Sequence, residues 1–236
     1  MQDAFNLGWK LASVFDRVAP DSLLDTYETE RRPIGAQITA GAKATHDLMM
    51  AFGEGMADRI AITRQPGWQD RTVGLISGLA HNYRDTVVVP PVERVPGPQA
   101  GDRAPDAQLT VDPGKRLYDV LRHPGFTLLL VPRTGQPADV DLARDAATGA
   151  VERYGHQVQP VLVAPAGGQG FDQDHTVADQ LGELAQRYAI DSDDARVILI
   201  RPDLYVGAHS VLEDAGRVVD FIETWLTSAQ STKTLL

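Results

Sequence analysis

Apolar residues near the start of the chain recur with helical spacing. Ala4, Leu7, Leu11, Phe15 and Val18 fall at steps of three or four, which sets them on one face of a helix that Pro20 ends. Asp21 or Ser22 can cap a second helix, with Leu23, Leu24 and Tyr27 as its apolar positions. That helix is predicted to stop at Glu30-Arg31-Arg32-Pro33, because a residue before proline avoids the helical region. Pro33 is then placed to open a third helix. Its stripe is Ile34, Ile38, Thr45, Met49 and Phe52, and Gly53 and Gly55 close it. Met56 to Thr63 reads as a short helix, and Val87-Val88-Val89 as the end of a strand. The mixture of apolar residues and glycine from Val73 to Tyr83 does not decide between states.

Residues 90 to 105 carry five prolines in sixteen positions, which neither a helix nor a central strand tolerates. A boundary falls here, with residues 96–105 as a stiff linker. The pattern then changes. Phe126 to Val131 is a continuous apolar run, the mark of a strand buried on both faces. Val158 to Ala164, Arg196 to Ile200 and Tyr205 to His209 read as further strands. Ala138 to Tyr154, Thr176 to Tyr188 and Ala215 to Thr227 read as helices, and the tail from Ser228 is polar. Strand–helix alternation followed by a hairpin and a closing helix predicts an α/β fold with thioredoxin-like order.

Composition narrows the chemistry. A net charge of −10 over 236 residues argues against nucleic acid as a partner. No apolar stretch approaches the ~20 residues of a membrane span. The chain has no cysteine, which excludes disulfides, Cys-ligated metals and thiol catalysis and suits a cytoplasmic protein. The six histidines show neither His-x-x-x-His nor His-Glu-x-x-His spacing, so no metal site is expected. Arg31 and Arg32 are expected to form structural ion pairs with acids such as Glu28 and Glu30. Pro165 to Gly170 lacks the Lys-Ser/Thr ending of a phosphate loop and reads as a turn.

Met1-Gln-Asp-Ala-Phe-Asn-Leu-Gly-Trp-Lys-Leu-Ala12 closely resembles a segment of class A FAD-dependent aromatic-ring hydroxylases, flavoprotein monooxygenases acting on phenols and polyketides. Asp25 to Pro33 resembles that family's Tyr-x-x-Glu-Arg-Arg-Pro element, and Leu75 to Leu79 with Tyr83-Arg84 resembles its end. Pro98 to Asp106 resembles the linker into a C-terminal thioredoxin-like domain, and Arg116 to Asp119 and Val197 to Asp203 resemble motifs inside it. The resemblance implies use of FAD and NAD(P)H and an aromatic small-molecule substrate. It also implies that Met1, Gln2, Asp3 and Asn6 lie on a flavin-side helix, whose N-terminus offers free N–H groups and partial positive charge.

The family's Gly-x-Gly-x-x-Gly turn is not in this sequence, and the thioredoxin-like part has no Cys-x-x-Cys, which excludes disulfide chemistry there. The expected division is a helical part of the FAD and substrate domain at 1–95, incomplete; the linker at 96–105; and a thioredoxin-like domain without Cys-x-x-Cys at 106–236. No catalytic residue is expected here, and the chain alone is expected to be truncated, inactive and without tightly bound FAD. The alternative reading is a non-catalytic dimerisation or interaction module. The three helical stripes should bury against the C-terminal part, a second copy, or a missing N-terminal portion; a homodimer is the first choice.

Overall fold

A computed structural model of the protein describes residues 1–50, 55–78, 80–111, 114–164 and 176–228. The first part is helical. Helix α1 spans Gln2–Phe15, and a 3-10 turn at Asp21–Leu24 leads directly into α2, Asp25–Met49. Helices α3, Gly55–Thr63, and α4, Trp68–Ser77, follow.

The predicted break at Pro33 does not occur. Helix α2 runs through it as one element. An interior proline removes a hydrogen bond and crowds the preceding turn, at about 3 kcal/mol. Tertiary contacts on both sides of Pro33 hold the helix regardless: Glu30, Arg31 and Ile34 are all buried. The expected helix stop therefore fails because those contacts outweigh the local preference. Phe52 and Gly53, read as the end of a third helix, lie outside the described residues. Val87 to Val89 form no strand; a turn precedes them and the chain continues irregularly.

The second part is a mixed five-stranded sheet. Its strands are β1 Phe126–Val131, β2 Val158–Ala164, β3 Thr176–Ala178, β4 Arg196–Ile200 and β5 Val206–Val211. Their order is β3-β2-β1-β4-β5. β1 runs parallel to β2, and β2 parallel to β3, while β4 is antiparallel to both β1 and β5. The helices are α5 Leu117–Val120, α6 Pro137–Tyr154, α7 Glu183–Tyr188 and α8 Ala215–Phe221. The helix predicted from Thr176 starts seven residues late, because Thr176–Ala178 instead add an edge strand beside Leu162–Ala164.

Alternation along the strands splits the core into two layers. Phe126, Leu128, Leu130, Leu162, Val197 and Leu199 face one way, with Ala143 and Ala150 of α6 and Val218 of α8. Leu129, Val161, Val163, Ile198 and Ile200 face the other, with Leu109, Leu117, Leu184 and Tyr188. The first layer is not confined to the sheet region. Trp9 of α1 meets Phe126 edge-on at 5.6 Å between ring centroids, and Leu23 joins the same cluster.

The proline-rich stretch is bound to the sheet edge. Gly101 N–H donates to Val206 O at 2.8 Å, Val206 N–H to Asp102 O at 2.8 Å, and Ala104 N–H to Leu204 O at 2.9 Å. Ser210 Oγ donates to Glu93 O at 2.9 Å. Gly97, at φ +99°, allows this approach: a Cβ there would collide with the Tyr188 carbonyl oxygen.

The apolar stripe predicted on α1 is not the face this chain buries. Phe5, Leu11 and Phe15 are exposed, Phe15 at 87%. The buried positions of α1 are Asn6, Trp9, Lys10 and Ser13. Ile38 and Met49 of α2 are exposed too. The expected burial against the chain's own C-terminal part is met at Leu23, which joins the sheet-region core, and at Ile34, which packs with Tyr205; the exposed positions are left uncovered within this chain. Trp9→Ala should destabilise the protein by roughly 3–5 kcal/mol in urea unfolding, as deletion of a buried aromatic does. Phe15→Ser should change stability by no more than about 0.5 kcal/mol.

Candidate functional site

The buried face of α1 feeds a cluster of charges. Arg201, fully buried between β4 and β5, donates from Nη1 and Nη2 to the two carboxylate oxygens of Glu30 at 2.6 and 2.9 Å. It also donates from Nε and Nη2 to Asp203 at 3.0 and 2.8 Å. Lys10 Nζ donates to Glu30 Oε2 at 2.8 Å. Asn6 Nδ2 lies 2.7 Å from Glu30 Oε2 and 2.9 Å from Asp203 Oδ2. Two cations thus meet two anions away from water. The Arg201 guanidinium also lies 5.4 Å from the ring centroids of Trp9 and of Tyr83.

The cluster sets its own protonation. Burial alone would raise the Glu30 pKa, but the hydrogen bonds and charge of Arg201, then of Lys10, outweigh it and hold the carboxyl down at about 2. Burial lowers the Lys10 ammonium from its usual value, with Glu30 pulling the other way. Burial likewise raises the Tyr83 phenol, and the nearby Asp203 charge adds to this.

A second layer connects the cluster to a cleft. Arg31 Nε donates to Asp3 Oδ1 at 2.7 Å, and Arg31 Nη1 to Tyr83 Oη at 3.2 Å. Gln2 Nε2 donates to Gly78 O at 3.0 Å, tying the start of α1 to the end of α4. Met1, Gln2 and Asp3 line a cleft of about 650 Å³ with Arg31, Ile38, Thr45, Thr72 and His81. No side chain caps the N-terminus of α1. His81 is buried, and burial followed by the Arg31 charge lowers its pKa.

The four candidate residues therefore separate. Met1, Gln2 and Asp3 reach the cleft, whereas Asn6 is fully buried in the ion cluster behind it. The arginine pair divides as well. Arg32 pairs with Glu28 at 3.0 Å as expected, Arg31 pairs with Asp3, and Glu30 goes to Lys10 and Arg201. Sequence reading passed over Lys10, Arg201 and Asp203. The available signal was Asn6 and Lys10 four apart, flanking Trp9 on one helical face.

Residues 1–42 match the family described as FAD binding domain. Pentachlorophenol 4-monooxygenase from Sphingobium chlorophenolicum is 39% identical over 227 residues, 96% of this chain and 41% of that protein. The 4-methyl-5-nitrocatechol 5-monooxygenase of a Burkholderia species is 31% identical over 214 residues, 89% of this chain and 36% of that protein. The solved structure of anhydrotetracycline hydroxylase from Streptomyces rimosus superposes with a TM-score of 0.63 at 29% identity, over 95% of this chain and 39% of that one. Over nearly its whole length, the chain is similar to the C-terminal part of FAD-dependent aromatic hydroxylases. It spans about two fifths of the length of the relatives it matches. No helix among the described residues is long and apolar enough to cross a membrane.

Acid should reveal the cluster. The depressed Glu30 pKa contributes stability that is fully present above the unfolded value of 4.5 and is lost as pH falls toward about 2. The melting temperature of the wild type should fall across that window more steeply than that of Glu30→Gln. At neutral pH, Glu30→Gln should be destabilised by about 3–5 kcal/mol, as for removal of one partner from a buried ion pair.

Proposed function

We propose that this chain forms the C-terminal portion of an FAD- and NAD(P)H-dependent monooxygenase that hydroxylates an aromatic, phenolic or polyketide substrate. The observation that carries the reading is 39% identity to pentachlorophenol 4-monooxygenase across 96% of the chain. The cleft supports it. An uncapped helix N-terminus offers N–H groups and partial positive charge to an electron-rich ring edge, and about 650 Å³ is the size of a small-molecule pocket. In this reading Met1, Gln2 and Asp3 form one wall of the flavin site. Asn6 acts from behind it, fixing α1 through Glu30 and Asp203. The flavin, when bound, supplies the oxygen chemistry; these residues position its ring and exclude water.

In the same proposal, residues 1–95 are part of the FAD and substrate domain, 96–105 a linker, and 106–236 a thioredoxin-like domain. A parallel strand–helix–strand unit, then the β4–β5 hairpin and α8, supports the last assignment. With no cysteine, that domain would serve structure or recognition rather than disulfide exchange. The exposed Phe5, Leu11 and Phe15 fit a surface that the nucleotide-binding portion of the monooxygenase covers, and a second copy of the chain is the other occupant.

Titrating FAD into the 236-residue chain should give no sub-micromolar dissociation constant by flavin fluorescence, since no pyrophosphate-binding turn is present in this sequence. Sub-micromolar binding would overturn the assignment of this chain as one wall of the site. Residues 100–236 expressed alone should unfold cooperatively, but at a lower temperature than the whole chain because Trp9 and Leu23 leave the core. A non-cooperative melt would remove the proposed boundary.

A further inference from the structure

A second cleft, of about 470 Å³, lies where the segment before the linker meets the sheet region. Its lining includes Arg84, Arg103 and Arg187, together with His81 and Asn82; Asp102 is the one carboxylate among its described lining residues. Arg84 grips Asp102 through Nε and Nη2 at 2.6 and 2.7 Å, which leaves Nη1 without a partner among the described residues. Arg187 is held through Nε and Nη2 by a single oxygen of Glu183, Oε1, at 2.7 Å. Arg103 differs. Its Nε donates to Tyr118 Oη at 3.3 Å, and among the described residues it has no carboxylate partner. Beside these groups, His81 is 4% exposed, and its Nε2 is buried with no hydrogen-bond partner among the described residues.

We propose that this cleft binds a phosphate group. Two guanidinium groups are fixed in place by carboxylates and still offer an N–H edge, while the third brings uncompensated charge. A planar guanidinium fork matches the oxygen spacing of phosphate. The positive charge is local in a chain whose net charge is −10, so the cleft draws anions that the rest of the surface repels. His81 and Asn82 add neutral polar groups at the same wall. His81 lines both clefts, but Met1, Gln2 and Asp3 do not line this one and the three arginines do not line the other, so the assignment does not rest on the flavin reading.

Calorimetric titration of the full chain at constant ionic strength tests it, with inorganic phosphate in one arm and adenosine monophosphate in the other. Saturable binding in the millimolar range or tighter is expected. Arg103→Gln and Arg187→Gln should each weaken it by about 10-fold, the scale of a lost charge-assisted hydrogen bond. Arg94→Gln, outside this cleft, should bind as the wild type does. Circular dichroism of each variant establishes that the fold is retained. Tighter binding of the nucleotide than of phosphate identifies a nucleotide phosphate as ligand, and equal binding identifies free phosphate; both uphold the site. Absence of saturation up to about 50 mM, or unchanged binding in both Arg103→Gln and Arg187→Gln, overturns it.

Discussion

The fork between Arg201 and Glu30 is the interaction on which the arrangement of the molecule depends. The two residues are 171 positions apart, and each is anchored by a different part of the chain. Glu30 lies on α2 and draws in Lys10 and Asn6 from α1. Arg201 leaves the end of β4 and is held in plane by Asp203 two residues later. Burial of four charges is costly, and such a cluster persists only when its hydrogen bonds are nearly complete. Here both Glu30 oxygens are engaged, and each one faces a cation. The helical part and the sheet part therefore have one relative placement that satisfies all of these groups.

From that constraint the rest follows. With Glu30 and Arg31 committed on one side of Pro33 and Ile34 on the other, α2 stays continuous across the proline. Arg31 carries the order outward to Asp3, and Gln2 ties the end of α4 to the same helix start. The cleft is thus built on side chains with few free rotamers, which suits a site that must hold a rigid ring in one orientation.

Much of the sheet region was legible in the sequence because burial on both faces writes itself as an uninterrupted apolar run, as in Phe126 to Val131. Short edge elements were not. Thr176–Ala178 has no periodicity of its own and becomes a strand only because Leu162–Ala164 lies beside it. The helical region misled for a different reason. An apolar stripe states that a face avoids water; it does not state what covers it. On α1 the stripe pointed outward, and the contacts that fix the helix ran through Asn6 and Lys10, residue types ordinarily assigned to solvent. At the candidate site, the motif located Met1, Gln2 and Asp3, but the ion cluster required partners more than 100 residues away, which local spacing cannot reveal.

The inverted burial of α1 changes how a partner would meet it. Ionic and amide hydrogen bonds are directional, so they fix the rotation of the helix about its own axis as well as its position. Phe5, Leu11 and Phe15 are consequently presented at a set angle by a backbone that is already ordered. Any surface that docks there has little main-chain freedom to remove, and the free energy of covering those side chains goes into association rather than into folding the helix.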